Sequence, residues 1–173
     1  MATSGDNFEM VDGSVYSLIH AAAESDGAVV EMEFTLPPGC VPPPPHFHPR
    51  QVESYEVLEG AFDVMIKGEW RQLGPGEKVS VPVGADHTFR NGSGATVRVR
   101  NWHEPAVRFE DYIEWIQTSL AGAGVKSKWD PRVLVYLSMA MMEFSDTLRP
   151  SRQREAIPMR GLDRIGRLLR LGP

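Results

Sequence analysis

Apolar and polar residues alternate with a period of two along much of the first hundred residues. Val30, Met32, Phe34 and Leu36 are separated by Glu31, Glu33 and Thr35, the pattern of a half-buried strand. Glu53, Tyr55 and Val57 alternate with Ser54 and Glu56 until Glu59-Gly60 turns the chain. Phe62, Val64 and Ile66 then lead to a hairpin tip at Lys67-Gly68-Glu69. Gly74-Pro75-Gly76 marks another turn, and Lys78–Val81, His87–Asn91 and Ala95–Trp102 complete the series. Short strands at this spacing, from about residue 14 to 103, predict a sandwich or barrel.

The period changes after His103. Phe109, Tyr112, Ile113, Ile116 and Leu120 recur at helical spacing, with Gly122 where the helix would end. Asp130-Pro131 is an N-cap and first-turn pair that opens a second helix with the stripe Val133, Leu134, Leu137, Met141 and Phe144. Met139, Met141 and Met142 read as packing residues. A third helix is expected from about Arg160 to Arg170, with Leu162, Ile165, Leu168 and Leu169 packed on the body and its arginines toward acidic surface. The chain therefore divides into a mainly β barrel domain, 1–104, and a C-terminal α-helical extension, 105–173.

Composition narrows the classes. The net charge of −5 conceals an acidic body, with 8 basic and 18 acidic side chains in residues 1–125. The tail, 126–173, is basic, with 10 against 5. An acidic barrel offers no footprint for nucleic acid. No stretch is long and apolar enough to predict a membrane span. The N-terminus lacks the basic and apolar regions of a secretory signal, and Cys40 is the single cysteine, so a cytoplasmic protein without disulfides is expected. Seven prolines between Pro37 and Pro49 predict a stiff, extended lead-in to the next strand.

That lead-in ends at His46-Phe47-His48. Residues two apart on a strand face the same way, so both imidazoles point to one side. Glu53 follows five residues later, and His87 comes from another hairpin. Three imidazoles and one carboxylate suit one divalent transition metal (Fe, Ni, Mn, Cu or Zn) and can leave positions open for substrate.

The stretch from Gly39 through His46, His48 and Glu53 to Gly60 resembles the first cupin motif. Gly76 through Pro82, Gly84 and His87 to Asn91 is similar to the second. Six residues separate Gly39 from His46 where five are usual, a departure confined to a turn. The resemblance implies a jelly-roll barrel, usually dimeric, with His46, His48, Glu53 and His87 as metal ligands. It also implies a small-molecule substrate. The function it suggests first is that of a metal-dependent dioxygenase or related oxidoreductase. A non-redox isomerase, cyclase or decarboxylase and a non-catalytic small-molecule-binding protein are the alternatives. Catalytic roles fall on Glu53, as ligand and as base if it loosens, and on Tyr55, as donor to a metal-bound anion. Parity places Tyr55, Val57, Phe62, Val64, Ile66, Phe89 and Asn91 around an apolar pocket. Arg100 is expected to face outward, Cys40 to be buried, and His103 to lie past the barrel strands in a structural or exposed position.

Overall fold

The computed structural model describes residues 2–151 and 153–172. Two antiparallel sheets face each other. The first contains six strands, β1 (Asn7–Glu9), β2 (Val15–His20), β3 (Val30–Leu36), β5 (Val52–Glu59), β8 (Lys78–Val81) and β10 (Val97–Glu104), in the spatial order β1-β2-β3-β10-β5-β8. The second contains β4 (His46–Phe47), β6 (Phe62–Ile66), β7 (Glu69–Leu73), β9 (His87–Arg90) and a late two-residue strand, β11 (Arg149–Pro150), in the order β11-β4-β9-β6-β7. From β3 onward the chain shuttles between the sheets, which gives the expected jelly-roll barrel with a helical extension.

The alternating pattern is what closes the barrel. On β3, Val30, Met32, Phe34 and Leu36 are buried while the residues between them are half-exposed. On β10, Val97, Val99, Asn101 and His103 point inward. Arg98 and Arg100 lie on the outer face, where they reach Glu33 at 2.7 Å and Glu31 at 3.1 Å on β3. Arg100 therefore faces away from the barrel interior. The tip between β6 and β7 has Lys67 at φ 52° and Gly68 at φ 89°, the two positive values that a two-residue hairpin turn of matching twist requires. Strand β7 lacks an apolar alternation, all but Leu73 being exposed, and so left no signal in the sequence. Strand β1 likewise precedes the expected start of the β region.

Gly60 turns the chain out of β5 with φ 81°, and a Cβ there would lie 2.8 Å from the Thr96 carbonyl and 3.0 Å from Val97 Cγ2. Gly60→Ala combines a left-handed backbone with a collision against β10. It is expected to cost about 2–4 kcal/mol, read as a lowered urea midpoint with an unchanged slope. An unaltered midpoint would contradict the close approach.

Three helices follow: α1 (Phe109–Gly122), α2 (Pro131–Glu143) and α3 (Gln153–Leu168). Asp130 caps α2 as expected, its side chain accepting from the Arg132 N–H, with Pro131 in the first turn. The buried face of α2 differs from the expected stripe. Leu134 is exposed, and Tyr136, Met139 and Ala140 are buried beside Val133 and Met141. The third helix starts earlier than expected and carries Pro158 inside it. It lies on α2 with Met159 buried and Gly166 pressed against Met139. Ile165, Leu168 and Leu169 are turned outward, contrary to the packed tail that the pattern suggested. The arginine expectation holds for Arg167, which pairs with Asp163 at 2.8 Å and Glu143 at 3.6 Å.

Candidate metal centre

Four short segments converge in the barrel. His46 is on β4, His48 just beyond it, Glu53 on β5 and His87 on β9, opposite His46 in register. All four are buried, and one ligand atom from each lies within 4.8 Å of the others. This buried His/Glu cluster could hold a metal ion.

The protonation pattern follows from the outer hydrogen bonds. His46 Nδ1 is 2.8 Å from the Pro44 carbonyl, His48 Nδ1 is 2.7 Å from that of Thr147, and His87 Nδ1 is 3.0 Å from that of Ala85. A carbonyl can only accept, so each Nδ1 must carry the proton and each neutral ring presents a lone pair at Nε2. His48 and His87 aim theirs at Glu53 Oε2, at 3.3 and 2.6 Å. Neither of these Nε2 atoms nor Oε2 has a hydrogen-bond partner among the described residues. Buried acceptors facing acceptors are costly unless a cation, proton or metal, sits between them.

The other carboxylate oxygen is held separately. Glu53 Oε1 accepts from Asn101 Nδ2 at 2.9 Å and lies 3.2 Å from His103 Nε2. No backbone carbonyl engages His103 Nδ1, so its proton is free to sit on Nε2, the nitrogen that faces Glu53 Oε1. Its ring stacks on Phe109 of α1, with centroids 3.5 Å apart. His103 is thus fully buried on the inner face of β10, which corrects its expected placement beyond the strands. Its parity with Val97, Val99 and Asn101 was the available signal. The glutamate is divided in use, with one oxygen toward the three imidazoles and the other fixed by β10.

Electrostatics follow the same division. Burial, joined by the neighbouring imidazoles His87 and His48, keeps His46 well below its ordinary pKa. Burial likewise lowers His103 to about 4. Burial also presses on His87, but the Glu53 carboxylate beside it prevails and raises its pKa. Glu53 itself is held well below the usual carboxylate range, since His103 and His87 together overcome its burial.

A cavity of about 120 Å³ opens above the cluster, with His46 and Glu53 in its wall. Its walls include Asp12 and Tyr16 near the N-terminus, Phe34 and Phe89 of the barrel, Val41 to Pro44 of the proline run, Lys128, and residues of α1 and α2. The helical extension therefore covers the mouth of the barrel. The lining differs from the pocket that parity suggested, sharing only Phe89 with it. Tyr55 points inward, but it packs against Phe62 and Phe89 in the core, with a buried hydroxyl that has no hydrogen-bond partner among the described residues. Phe62, Val57 and Val64 are core residues as well, and Asn91 donates to the carbonyls of Leu36 and Ala95. Cys40 is buried, as expected. No helix among the described residues is long and apolar enough to cross a membrane.

Residues 32–104 match the family model for the cupin domain. A protein of Aquifex aeolicus (strain VF5), described only as uncharacterized, is 34% identical over 53 residues, which are 31% of this chain and 44% of that protein. The chain thus spans less than half the length of that relative. The fold is similar to KdgF from Halomonas sp., with a TM-score of 0.51 at 22% identity over 58% of this chain and 87% of the other. It is also similar to an RmlC-like cupin from Shewanella frigidimarina NCIMB 400, with a TM-score of 0.50 at 18% identity over 59% and 85%. At such identities the likeness concerns the fold.

Proposed function

We propose, for a chain that belongs to the cupin superfamily, that His46, His48, Glu53 and His87 hold one divalent transition metal and that the protein is a metal-dependent dioxygenase acting on a small organic molecule. The observation that carries the metal is the set of lone pairs. Three Nε2 atoms and Glu53 Oε2 are turned together, while the Nδ1 of each of His46, His48 and His87 is occupied by a backbone carbonyl. Neutral imidazole and carboxylate suit iron, manganese, nickel, copper or zinc. Such a metal, when bound, supplies a place where an organic ligand and O₂ can meet.

The cavity favours this reaction over proton-transfer chemistry. An isomerase, cyclase or decarboxylase needs a free base or acid beside the substrate. Here Asp12, in the cavity wall, already accepts from the backbone N–H groups of Ser14 and Val41. Burial raises Tyr16 and Tyr112 far above neutrality, so they can donate hydrogen bonds but cannot serve as bases. Glu53 Oε1 accepts from Asn101, and Oε2 is the oxygen that a bound metal would take. The apolar walls admit O₂ and an organic molecule while excluding water.

The test is O₂ uptake by protein purified without chelator and loaded with Fe(II), over a panel of phenolic, diketone and thiol compounds. Uptake with at least one class is expected. Its absence across the panel, with iron content confirmed, would transfer the proposal to non-redox chemistry. We also propose a homodimer, supported by the unpartnered Ile157, Ile165 and Leu168 on α3, which are 68%, 50% and 83% exposed. Light scattering is expected to give twice the chain mass of 19.3 kDa, and a monomer mass would refute the dimer.

A further inference from the structure

The chemistry of the cavity can be read from what its polar groups still lack. Apart from His46 and Glu53, the lining contains four polar or charged side chains: Asp12, Tyr16, Tyr112 and Lys128. Two of them are occupied. Asp12 accepts two backbone N–H groups, and the Lys128 ammonium donates to the Gly39 carbonyl. Tyr16 and Tyr112 differ, because neither hydroxyl makes a hydrogen bond among the described residues. Tyr16 comes from β2 and Tyr112 from α1, and both line this one cavity. Tyr16 is braced by an edge-on contact with Phe34, centroids 4.6 Å apart, and Tyr112 by Phe109 and Phe144. Two braced phenols with unused donors in an otherwise apolar wall make a site that is short of acceptors.

We propose that the cavity takes a flat, single-ring aromatic carbonyl compound, and that Tyr16 and Tyr112 select it by donating to its exocyclic oxygen. The inference rests on the reading of this cavity as the substrate site. The volume matches one ring, since a hydrocarbon cavity of similar size holds benzene. The walls, from Phe34, Phe89, Phe109, Ile113 and Leu137, complement a ring face and offer nothing to a polyol. Each hydroxyl of a sugar buried there without a partner costs about 1–3 kcal/mol. No arginine is among the lining residues to fix a carboxylate. Selection by a built hydrogen bond is the sharper kind, because an analogue lacking the oxygen leaves the protein donors buried and unpaired.

Acetophenone and ethylbenzene have nearly the same shape and differ in the carbonyl oxygen, so their affinity ratio isolates the tyrosines. The ratio is measured by ligand-observed NMR on the full chain after metal removal, where no metal can bind the carbonyl. Acetophenone is expected to bind about 10-fold more tightly than ethylbenzene, as one to two net hydrogen bonds imply. Tyr16→Phe and Tyr112→Phe keep the ring packing. Each is expected to reduce the ratio, and the double variant to bring it near unity while ethylbenzene binding persists, a built-in check on folding. A ratio unchanged in the double variant, or tighter binding of galacturonate than of acetophenone, overturns the proposal. Because the measurement is made without metal, a protein that retains no metal would defeat the dioxygenase reading and leave this result standing.

Discussion

Replacing both His46 and His48 by Ala is expected to take the bound metal from about one per chain to below a tenth. The two residues supply two of the three inward lone pairs, and only His87 and Glu53 would remain. Loss of a single outer partner of a ligand already costs about 10–100-fold in metal affinity, so removal of two ligands should cost roughly 1,000-fold or more. Elemental analysis of protein purified without chelator reads the loss directly. Thermal unfolding gives a second readout. A ligand present at about 100 times its Kd stabilises the native state by about 2.7 kcal/mol, so the wild type should melt higher when metal is added and the variant should not. Metal content unchanged by the double replacement would remove the basis of the proposed chemistry.

Acidification from pH 7 toward 4 is expected to destabilise the metal-free protein, and His103 is expected to be a main cause. Burial holds His103 and His46 below their ordinary pKa in the folded chain, while in the unfolded chain both take up protons near 6.5. Across that window the unfolded state binds more protons than the native state, so stability rises with pH and falls on acidification. A folded value of about 4 for His103 makes its share on the order of 3 kcal/mol by the acid end of the window. His87 acts in the opposite sense. Its folded pKa is raised, so its contribution is complete below 6.5 and is lost as pH climbs through the folded value. Glu53, held low, contributes above the usual carboxylate range and loses that contribution only as pH falls through its depressed value. His103→Gln keeps a donor toward Glu53 Oε1 and removes the titrating ring. Urea midpoints measured from pH 7 to 4.5 should therefore fall less in this variant than in the wild type, and equal slopes would disprove the assignment.

The His/Glu cluster was legible because three of its four members are close together in the sequence. His46 and His48 share a face by strand parity, and the spacings to Glu53 and His87 reproduce two complete motifs. The barrel was legible as well, since its strands alternate strongly on β3, β5 and β10. Parity states which face a residue occupies but not how far along the barrel axis it sits. Tyr55 was therefore placed inward correctly, yet the cavity wall belongs to other residues. His103 escaped because the expected strand stops at Trp102, two residues short of the end of β10 at Glu104. Tyr16 and Tyr112 had no joint signal: they share a cavity only because α1 lies across the barrel mouth, and in the sequence Tyr112 is simply one member of an apolar helical stripe. The outward face of α3 was missed because its close approach to α2 is made at Gly166, where the absence of a side chain sets the contact.

The hydrogen bond from His48 Nδ1 to the Thr147 carbonyl joins the beginning of the site to the end of the chain, 99 residues on. Strand β11 reinforces that connection by pairing Pro150 with His46 and Arg149 with Phe47. Binding at one end of such a connection and order at the other are linked reciprocally, each favouring the other by the same free energy. Metal loading should thus slow protease cleavage between α2 and α3, and cleavage there should speed metal release. With a metal bound as proposed, the tail would be a latch on the ion, and the ion a lock on the tail.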